Sequence, residues 1–317
     1  FFVYTNIASL VMFIGYFALV FGLGDAVSST GMPAVAEALR AGQLSYLGTP
    51  DVGIAPDTLA MAAFLAMFVG FAVKVPIVPF HTWLPDAHVE APTPVSVLLA
   101  GVLLKMGTYA LLRFNFTMLP EQAATLAVPI AAIAVISIIY GALLALAQQD
   151  LKRVVAYSSV SSMGYVILGL IAYTVYGVGG ATFQMIAHGL ISGLLFMTVG
   201  VFYNATHTRM IGDMSGLAGK MPITATVFVA GAFGYMGLPL MAGFMAELFV
   251  FIGAFESTVL PAAPLFTAAA MFGIVIVAGY LLWAMQRSLF GPFRLETDYE
   301  LGRAPVHDVV PIVTLLA

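Results

Sequence analysis

Residues 94–114, PVSVLLAGVLLKMGTYALLRF, are long and apolar enough to cross a lipid bilayer, and they carry a lysine near their centre. A helix needs about 20 apolar residues to span a hydrocarbon core of about 30 Å. Lys105 is the twelfth residue of this run, so its side chain does not easily reach either interface. Gly101 and Gly107 flank it and would let another helix or water approach. The stretch therefore predicts a membrane helix with a charged group inside the membrane.

The same apolar character extends over the whole chain of 317 residues. Hydrophobic residues make up 62% of it and charged residues 8%, against roughly 25% charged residues in soluble domains. So few charges cannot cover a water-exposed surface, which excludes a soluble globular protein. Eight runs have spanning length, and they cover residues 1–23, 58–79, 94–114, 124–147, 153–173, 181–203, 222–254 and 264–289. A truncated ninth run begins near Val309, so we predict an all-α polytopic membrane protein with a single transmembrane domain over residues 1–317.

The longest connection, residues 24–57, is predicted to be an extramembrane loop with a short helix over residues 33–40. The chain begins and ends inside apolar runs without an initiator methionine, and we expect it to be an internal fragment. It contains no cysteine, which excludes disulfides and cysteine-held iron–sulfur clusters. Any redox chemistry that it serves would therefore occur in another polypeptide. Nothing in it resembles a nucleophile–base pair, a phosphate loop or a nucleic-acid surface.

Basic residues are distributed unevenly between alternate connections. One side receives seven of them, while the other receives Arg40 and Arg113. By the positive-inside rule, the first side is expected to face the cytoplasm. It includes the loops 148–153 and 204–221 and also residues 81–93. The seven basic residues are Lys152, Arg153, Arg209, Lys220, Arg287, Arg294 and Arg303.

Two predicted spans are interrupted by helix-breaking residues. Pro76 and Pro79 interrupt the second span, because each removes an amide donor. Gly237, Pro239 and Gly243 interrupt the seventh, which at 33 residues is too long for one straight crossing. In transporters, helices broken at membrane depth commonly mark the ion site. A packing kink is the alternative at either position.

Three charged residues remain inside apolar runs once the others are assigned to loops and helix ends. They are Lys74, Lys105 and Glu247, and the titratable His188 is a fourth. Each buried charge costs about 2.5–3.5 kcal/mol on insertion scales, so such residues indicate a function. The four form a series of bases and acids suited to proton or small-cation transfer. The alternatives are a fixed ion pair for Lys105, snorkelling for Lys74, a helix cap for Glu247 and a plain hydrogen bond for His188.

Local sequence adds further expectations for these residues. Lys74 directly precedes the proline break, where freed carbonyls would hold its ammonium group. Glu247 follows the second break near the start of a half-helix, whose dipole would stabilise its charge. Gln184 lies one helical turn from His188. Residues 86–90, DAHVE, are expected to be a polar connector in a loop rather than a metal site.

The segment 157–165, YSSVSSMGY, adds hydroxyl groups to this set. Ser161 and Ser162 are candidates for lining a water path together with Gln184. Serine side chains in membrane helices also bond back to the preceding turn, which is the alternative.

Residues 73–114, VKVPIVPFHTWLPDAHVEAPTPVSVLLAGVLLKMGTYALLRF, resemble the signature of the antiporter-like membrane subunits of respiratory complex I. The resemblance continues in the same order in DLKRVVAYSSVSSMGYV (150–166), HGLISGLLF (188–196) and GLPLMAGFMAELFVF (237–251). The chain is most similar to the subunit M or chain 4 type, which carries glutamate where the other types usually carry lysine. Glu247 occupies that position.

The resemblance implies a fourteen-helix fold with two inverted five-helix repeats, of which the eight spans would be the sixth to thirteenth. Lys74 corresponds to the proton-carrying lysine of a broken helix, and Lys105 to the link toward the centre. His188 corresponds to a relay and Glu247 to the exit or terminal carrier. The family's glutamate partner of Lys74 would precede Phe1.

Members of this family often have histidine at the position of Ser162. The serine weakens any mechanism with two relay histidines. We expect a water held by Ser161 or Ser162 to take that place.

The resemblance also implies a function: a translocase subunit of an NADH or related donor:quinone oxidoreductase, with no redox centre, catalytic residue, metal or cofactor of its own. FMN, iron–sulfur clusters and quinone are expected in partner subunits. The expected partners are L-type and N-type antiporter-like neighbours and the lipid of a cell or organelle inner membrane, with no nucleic acid. A subunit of a multi-subunit Na⁺/H⁺ antiporter or of a membrane-bound hydrogenase complex is the alternative. A purely structural scaffold would leave the buried charges unexplained.

Overall fold

The structure is a computed structural model that describes residues 1–45, 47, 53–296, 301 and 306–316. Arg303, one of the basic residues counted above, lies outside them. In chain order the helices are α1 (Phe2–Leu23), α2 (Met32–Arg40), α3 (Pro56–Lys74), α4 (Trp83–Glu90), α5 (Thr93–Phe116), α6 (Pro120–Thr125), α7 (Ala127–Leu146), α8 (Leu151–Ile171), α9 (Val175–Thr206), α10 (Leu217–Lys220), α11 (Pro222–Tyr235), α12 (Ala242–Phe255), α13 (Ala263–Leu289) and α14 (Val306–Leu316). Two short strands, β1 (Met214–Ser215) and β2 (Arg294–Leu295), pair antiparallel.

The helices confirm the predicted spans. Within the described residues, seven helices are long and apolar enough to cross a membrane, namely α1, α3, α5, α7, α8, α9 and α13. The shorter α11 and α12 together occupy the predicted seventh span. α14 begins where the truncated ninth run was expected, and α2 confirms the short helix in the extramembrane loop.

The break in the second span is wider than the sequence indicated. α3 ends at Lys74 and the helix resumes only at Trp83, with Pro76 and Pro79 between them. The prediction of a loop over residues 81–93 is therefore wrong, because α4 occupies most of that segment. Pro85 falls in the first turn of α4, where proline is tolerated because the amide there has no helical partner.

Polar groups from other parts of the chain satisfy the backbone around this break. The indole of Trp83 donates a hydrogen bond to the Val73 carbonyl at 2.8 Å. The Val78 amide donates to the Ser137 hydroxyl on α7 at 3.0 Å. Freed backbone groups at membrane depth are thus paired with protein, as a low-dielectric environment requires.

The second predicted break is also confirmed. α11 ends at Tyr235 and α12 begins at Ala242, with Gly237 and Pro239 in the gap. Gly237 has a φ of +65°, a backbone conformation that glycine adopts without strain. Gly243 lies just inside α12, where a Cβ atom would overlap the carbonyl oxygen of Gly234.

α8 is the most enclosed of the spanning helices, with 94% of its spanning window buried. It packs against α4, α7, α9, α12 and α13. Asp150 caps its N-terminus by accepting hydrogen bonds from the Lys152 and Arg153 amides. This position allows α8 to carry several serine hydroxyls without exposing them to lipid.

α4 is anchored to the basic side of the bundle. Arg153 forms an ion pair with Asp86 at 3.1 Å. Lys152 and Arg209 donate to carbonyl oxygens of Ala91 and Val89 at 2.6 and 3.0 Å. Cations at a helix C-terminus interact favourably with its dipole. The structure thus gathers α4 and the predicted basic loops on one side.

Two adjacent glycines of α9 provide a test of the packing between α9 and α12. A Cβ at Gly180 would lie 2.5 Å from the Val250 amide nitrogen of α12, whereas a Cβ at Gly179 would meet nothing within 4 Å. We expect Gly180→Ala to lower stability by about 1–3 kcal/mol, the usual range for overpacking. Gly179→Ala should leave stability unchanged or raise it slightly, because alanine is the better helix former. Thermal melting of the full-length protein measures both, and equal melting temperatures would contradict this packing.

Candidate functional site

Lys105 lies in α5 between two π-helical stretches, Leu99–Leu103 and Leu111–Phe116. Such stretches often occur at functional sites. The Lys105 amino group donates to the Ala100 carbonyl oxygen, and it lies 2.5 Å from Nδ1 of His188 on α9. The structure therefore brings the predicted lysine and histidine into direct contact.

Glycines make this contact sterically possible. A Cβ at Gly189 would lie 3.1 Å from the Gly101 carbonyl oxygen and 3.6 Å from Cε of Lys105. On another side of α5, a Cβ at Gly107 would lie 2.8 Å from Cγ2 of Val75. Neighbouring segments thus approach both glycines that flank Lys105, closely at Gly107 and at an ordinary contact distance of 3.6 Å for a Cβ at Gly101.

A small cavity lies beside His188. It has about 10 Å³ available to the centre of a water molecule, which is close to the minimum for one water. Nε2 of His188 and Oε1 of Gln184 are buried and have no hydrogen-bond partner among the described residues. The residues that line the cavity are Ser162, Gln184, His188, Ile191, Gly234, Tyr235, Gly243 and Glu247.

Glu247 reaches this cavity from α12. Its side chain is buried, and it takes part in none of the three ion pairs found within the described residues. A Cβ at Gly237 would lie 2.6 Å from Oε2 of Glu247, so the carboxylate faces the break between α11 and α12. Glu247 is the sixth residue of α12. It therefore lies beyond the first turn of the helix, and the helix dipole acts most strongly within that first turn.

The structure leaves Lys74 outside this cluster. It is half-buried and lines a different cavity of about 650 Å³ between α1, α3 and α5. Freed carbonyls do not hold its ammonium group as expected: the Ala72 carbonyl accepts the Ile77 amide at 3.3 Å. No hydrogen bond of the Lys74 amino group occurs with any described residue. Lys105, His188 and Glu247 thus converge, while Lys74 forms a separate site.

The serines of α8 divide between packing and the cavity. Ser158 and Ser159 donate to the Val155 carbonyl one turn earlier, which was the alternative considered for this segment. Ser161 donates to the Ile138 carbonyl of α7 at 2.8 Å. Ser162 alone among these four lines the cavity.

Tyr235 is a cavity residue that the sequence analysis missed. Its ring packs edge-on against the imidazole of His188, with centroids 5.5 Å apart. Its hydroxyl accepts a hydrogen bond from Ser162 at 3.0 Å. An aromatic residue in an apolar run resembles ordinary core, and its position two residues before Gly237 was the available signal.

His88 was also misassigned, because it lies in α4 rather than in a loop connector. It is fully buried, and its ring stacks on Phe196 with centroids 4.4 Å apart. Neither ring nitrogen has a hydrogen-bond partner among the described residues. His81, seven residues earlier, is also buried but precedes the start of α4, so no helical periodicity in the sequence marked His88.

Comparison with known proteins connects this arrangement to a family. The chain matches the NADH:quinone oxidoreductase/Mrp antiporter transmembrane profile over residues 1–273. It is 42% identical over 317 residues to NAD(P)H-quinone oxidoreductase chain 4 1 of Synechococcus elongatus. That match covers 100% of this chain and 56% of the relative. F420H2 dehydrogenase subunit M of Methanosarcina mazei is 42% identical over 295 residues, with 92% of this chain and 56% of the relative covered.

A solved structure gives the same relationship. A chain of respiratory complex I from Thermus thermophilus has a TM-score of 0.81 and 27% identity, covering 98% of this chain and 62% of that one. The present chain therefore spans little more than half the length of the curated relatives described above, at 56% of each.

The contact between Gly237 and Glu247 generates a testable prediction. Gly237→Ala combines left-handed backbone strain of about 1–2 kcal/mol with displacement of the Glu247 carboxylate. Gly42→Ala is the matched control, because Gly42 has a φ of +67° and nothing within 4 Å of its Cβ position. We expect Gly237→Ala to lower the melting temperature of the full-length protein more than Gly42→Ala does. When Glu247→Ala is also present, Gly237→Ala and Gly42→Ala should lower the melting temperature by equal amounts. A difference that persists there would contradict the contact between Gly237 and Glu247.

Proposed function

Since the chain belongs to the NADH:quinone oxidoreductase/Mrp antiporter transmembrane family, we propose that it is a proton-translocating membrane subunit of an NADH or related donor:quinone oxidoreductase. The observation that carries the proposal is the direct contact of Lys105 with His188, beside the cavity that Glu247 lines. Three protonatable groups in one buried cluster form a path along which a proton can move. No catalytic redox centre is assigned to this chain.

The Lys105–His188 contact defines how the proton would move. An ammonium group at this distance requires a neutral imidazole, because two cations would repel strongly in a low-dielectric interior. Nδ1 of His188 then accepts from Lys105, which leaves the imidazole proton on Nε2. Transfer of a proton from Lys105 to Nδ1, with loss of the Nε2 proton toward the cavity, moves one positive charge across the ring.

Glu247 is the acceptor on the far side of the cavity. The cavity that His188 and Glu247 both line has room for one water. In this proposal, that water passes the proton released by Nε2 to the carboxylate. Lys105 is left neutral and His188 carries its proton on Nδ1. Before the next transfer Lys105 must be reprotonated and the imidazole proton must return to Nε2. The path from lysine to carboxylate therefore carries one proton at a time.

Lys74 is proposed to be a second proton carrier with its own access cavity. Gly107 of α5 packs close to it, and a Cβ there would lie 3.2 Å from Cβ of Lys74. Lys105 lies two residues away from Gly107 on the same helix. α5 therefore connects the two proposed carriers.

The proposed orientation places the C-terminal end of α4 and the basic loops on the cytoplasmic side. It is supported by the cluster of Lys152, Arg153 and Arg209 around α4 on one side. Arg40 and Arg113 line one cavity on the opposite side. Seven basic residues against two give the same polarity under the positive-inside rule.

The proposed complex supplies what this chain lacks. FMN, iron–sulfur clusters and quinone are assigned to partner subunits, and L-type and N-type antiporter-like chains are the proposed neighbours. The names of the two relatives differ in the electron donor, so the donor belongs to a part of the complex outside this chain. Because the match covers 56% of each of these relatives, the complete activity is assigned to the longer protein.

A subunit of a multi-subunit Na⁺/H⁺ antiporter is the second candidate, because the matched family includes Mrp antiporters. A subunit of a membrane-bound hydrogenase complex is a variant of the first candidate, the oxidoreductase subunit. Sodium-dependent transport without any redox reaction in the purified complex would favour the antiporter.

Replacement of Lys105 tests the proposed function. In the full-length subunit within its complex, we expect Lys105→Ala to reduce proton transfer through this subunit at least about tenfold, because a positioned acid–base group contributes about 10²–10⁴-fold. Protons moved per electron, measured in proteoliposomes, should fall. Lys220→Ala, at an exposed lysine, is the control and should not change the ratio. An unchanged ratio in Lys105→Ala would refute the role.

A further inference from the structure

The cavity beside His188 is bordered by a hydroxyl group that the proton path described above does not use. Tyr235 is the last residue of α11, directly before the break that Glu247 faces. It is 6% exposed, and its ring holds an edge-on contact with His188 at an interplanar angle of 63°. The side chain of Tyr235 therefore contacts the His188 ring and also lines the cavity.

The hydrogen-bonding state of this hydroxyl follows from its neighbour. Ser162 donates to Oη of Tyr235 at 3.0 Å. A phenol that accepts from a serine keeps its own proton for donation. Ser158 and Ser159 of α8 also interact with this hydroxyl, although each directs its own hydrogen to the Val155 carbonyl.

Four polar groups converge on a space that fits one water. His188, Tyr235, Gln184 and Glu247 all line this space. Nε2 of His188 and the phenol can act as donors, and Oε1 of Gln184 and the Glu247 carboxylate can act as acceptors. Two of these four, Nε2 and Oε1, have no partner among the described residues. A water accepts two hydrogen bonds and donates two, so this set satisfies it completely.

We propose that Tyr235, held by Ser162, is a positioning residue that orients a single water between His188 and Glu247. With both lone pairs of the water occupied by His188 and Tyr235, its two protons face Gln184 and Glu247. The proton that leaves Nε2 joins the water as one of the water's own protons passes to the carboxylate. Without the phenol hydroxyl, the water loses its second donor and can turn away from Glu247. This inference rests on the proposed proton path.

The test compares two buried tyrosines in the full-length subunit within its complex. Tyr235→Phe removes the hydroxyl and keeps the ring on His188. Tyr165→Phe is the matched control, because its hydroxyl contacts the Ala270 carbonyl at 3.4 Å and does not line the cavity. We expect Tyr235→Phe to slow proton transfer about tenfold and to increase its solvent deuterium isotope effect. Tyr165→Phe should change neither.

Variants of Ser162 distinguish positioning from a purely structural role, because a structural role would not change the solvent deuterium isotope effect. Ser162→Ala should raise the isotope effect in the same direction as Tyr235→Phe, and Ser162→Thr, which keeps the hydroxyl, should return it toward the original value. If Tyr235→Phe matches Tyr165→Phe while Lys105→Ala still reduces proton transfer, the positioning role is overturned and the proposed function stands. If neither Tyr235→Phe nor Lys105→Ala has an effect, both fail.

A measurement on the unmodified complex covers the case in which Tyr235→Phe does not assemble. A high-resolution cryo-electron microscopy map should show one water within hydrogen-bond distance of the Tyr235 hydroxyl, Nε2 of His188 and the Glu247 carboxylate. A map without density for water at that place overturns the proposal.

Discussion

The contact between the Lys105 amino group and Nδ1 of His188 is the interaction on which the rest of the structure depends. A charged group at this depth is expensive unless polar partners surround it. The Ala100 carbonyl and the imidazole supply those partners, and both are within reach because α5 and α9 meet at glycines. The π-helical stretches on either side of Lys105 depart from the regular helix at the same place. Backbone geometry and the buried charge are therefore parts of one arrangement.

The two broken spans also provide polar surroundings for buried ionisable side chains, each in a different way. Lys74 ends α3 at the first break, and the Glu247 carboxylate faces the second. A continuous helix offers no free polar backbone and no space at its axis, whereas a break offers both. The half-helix α4 is then anchored by Arg153, Lys152 and Arg209. In this bundle, irregular backbone occurs where protonatable side chains lie within the membrane.

The sequence alone predicted the spans and both breaks, because each rests on local composition or on residues that cannot continue a helix. It did not separate α4 from a loop, since a short helix after two prolines carries no long apolar run. The contacts that define the site are long-range: Ser162 and Tyr235 are 73 residues apart. Ser161 and Ser162 point about 100° apart on a helix, and only packing decides which one faces the cavity.

Infrared difference spectroscopy of the complex during turnover tests the central claim, that a proton passes through the Lys105–His188–Glu247 cluster, most directly. If Glu247 receives and releases a proton in each cycle, the difference spectrum contains a protonated-carboxyl band. That band should shift in Glu247→Asp and vanish in Glu247→Gln. A spectrum in which Glu247→Gln leaves every carboxyl band unchanged, while the complex still pumps protons at its original ratio, would contradict the claim.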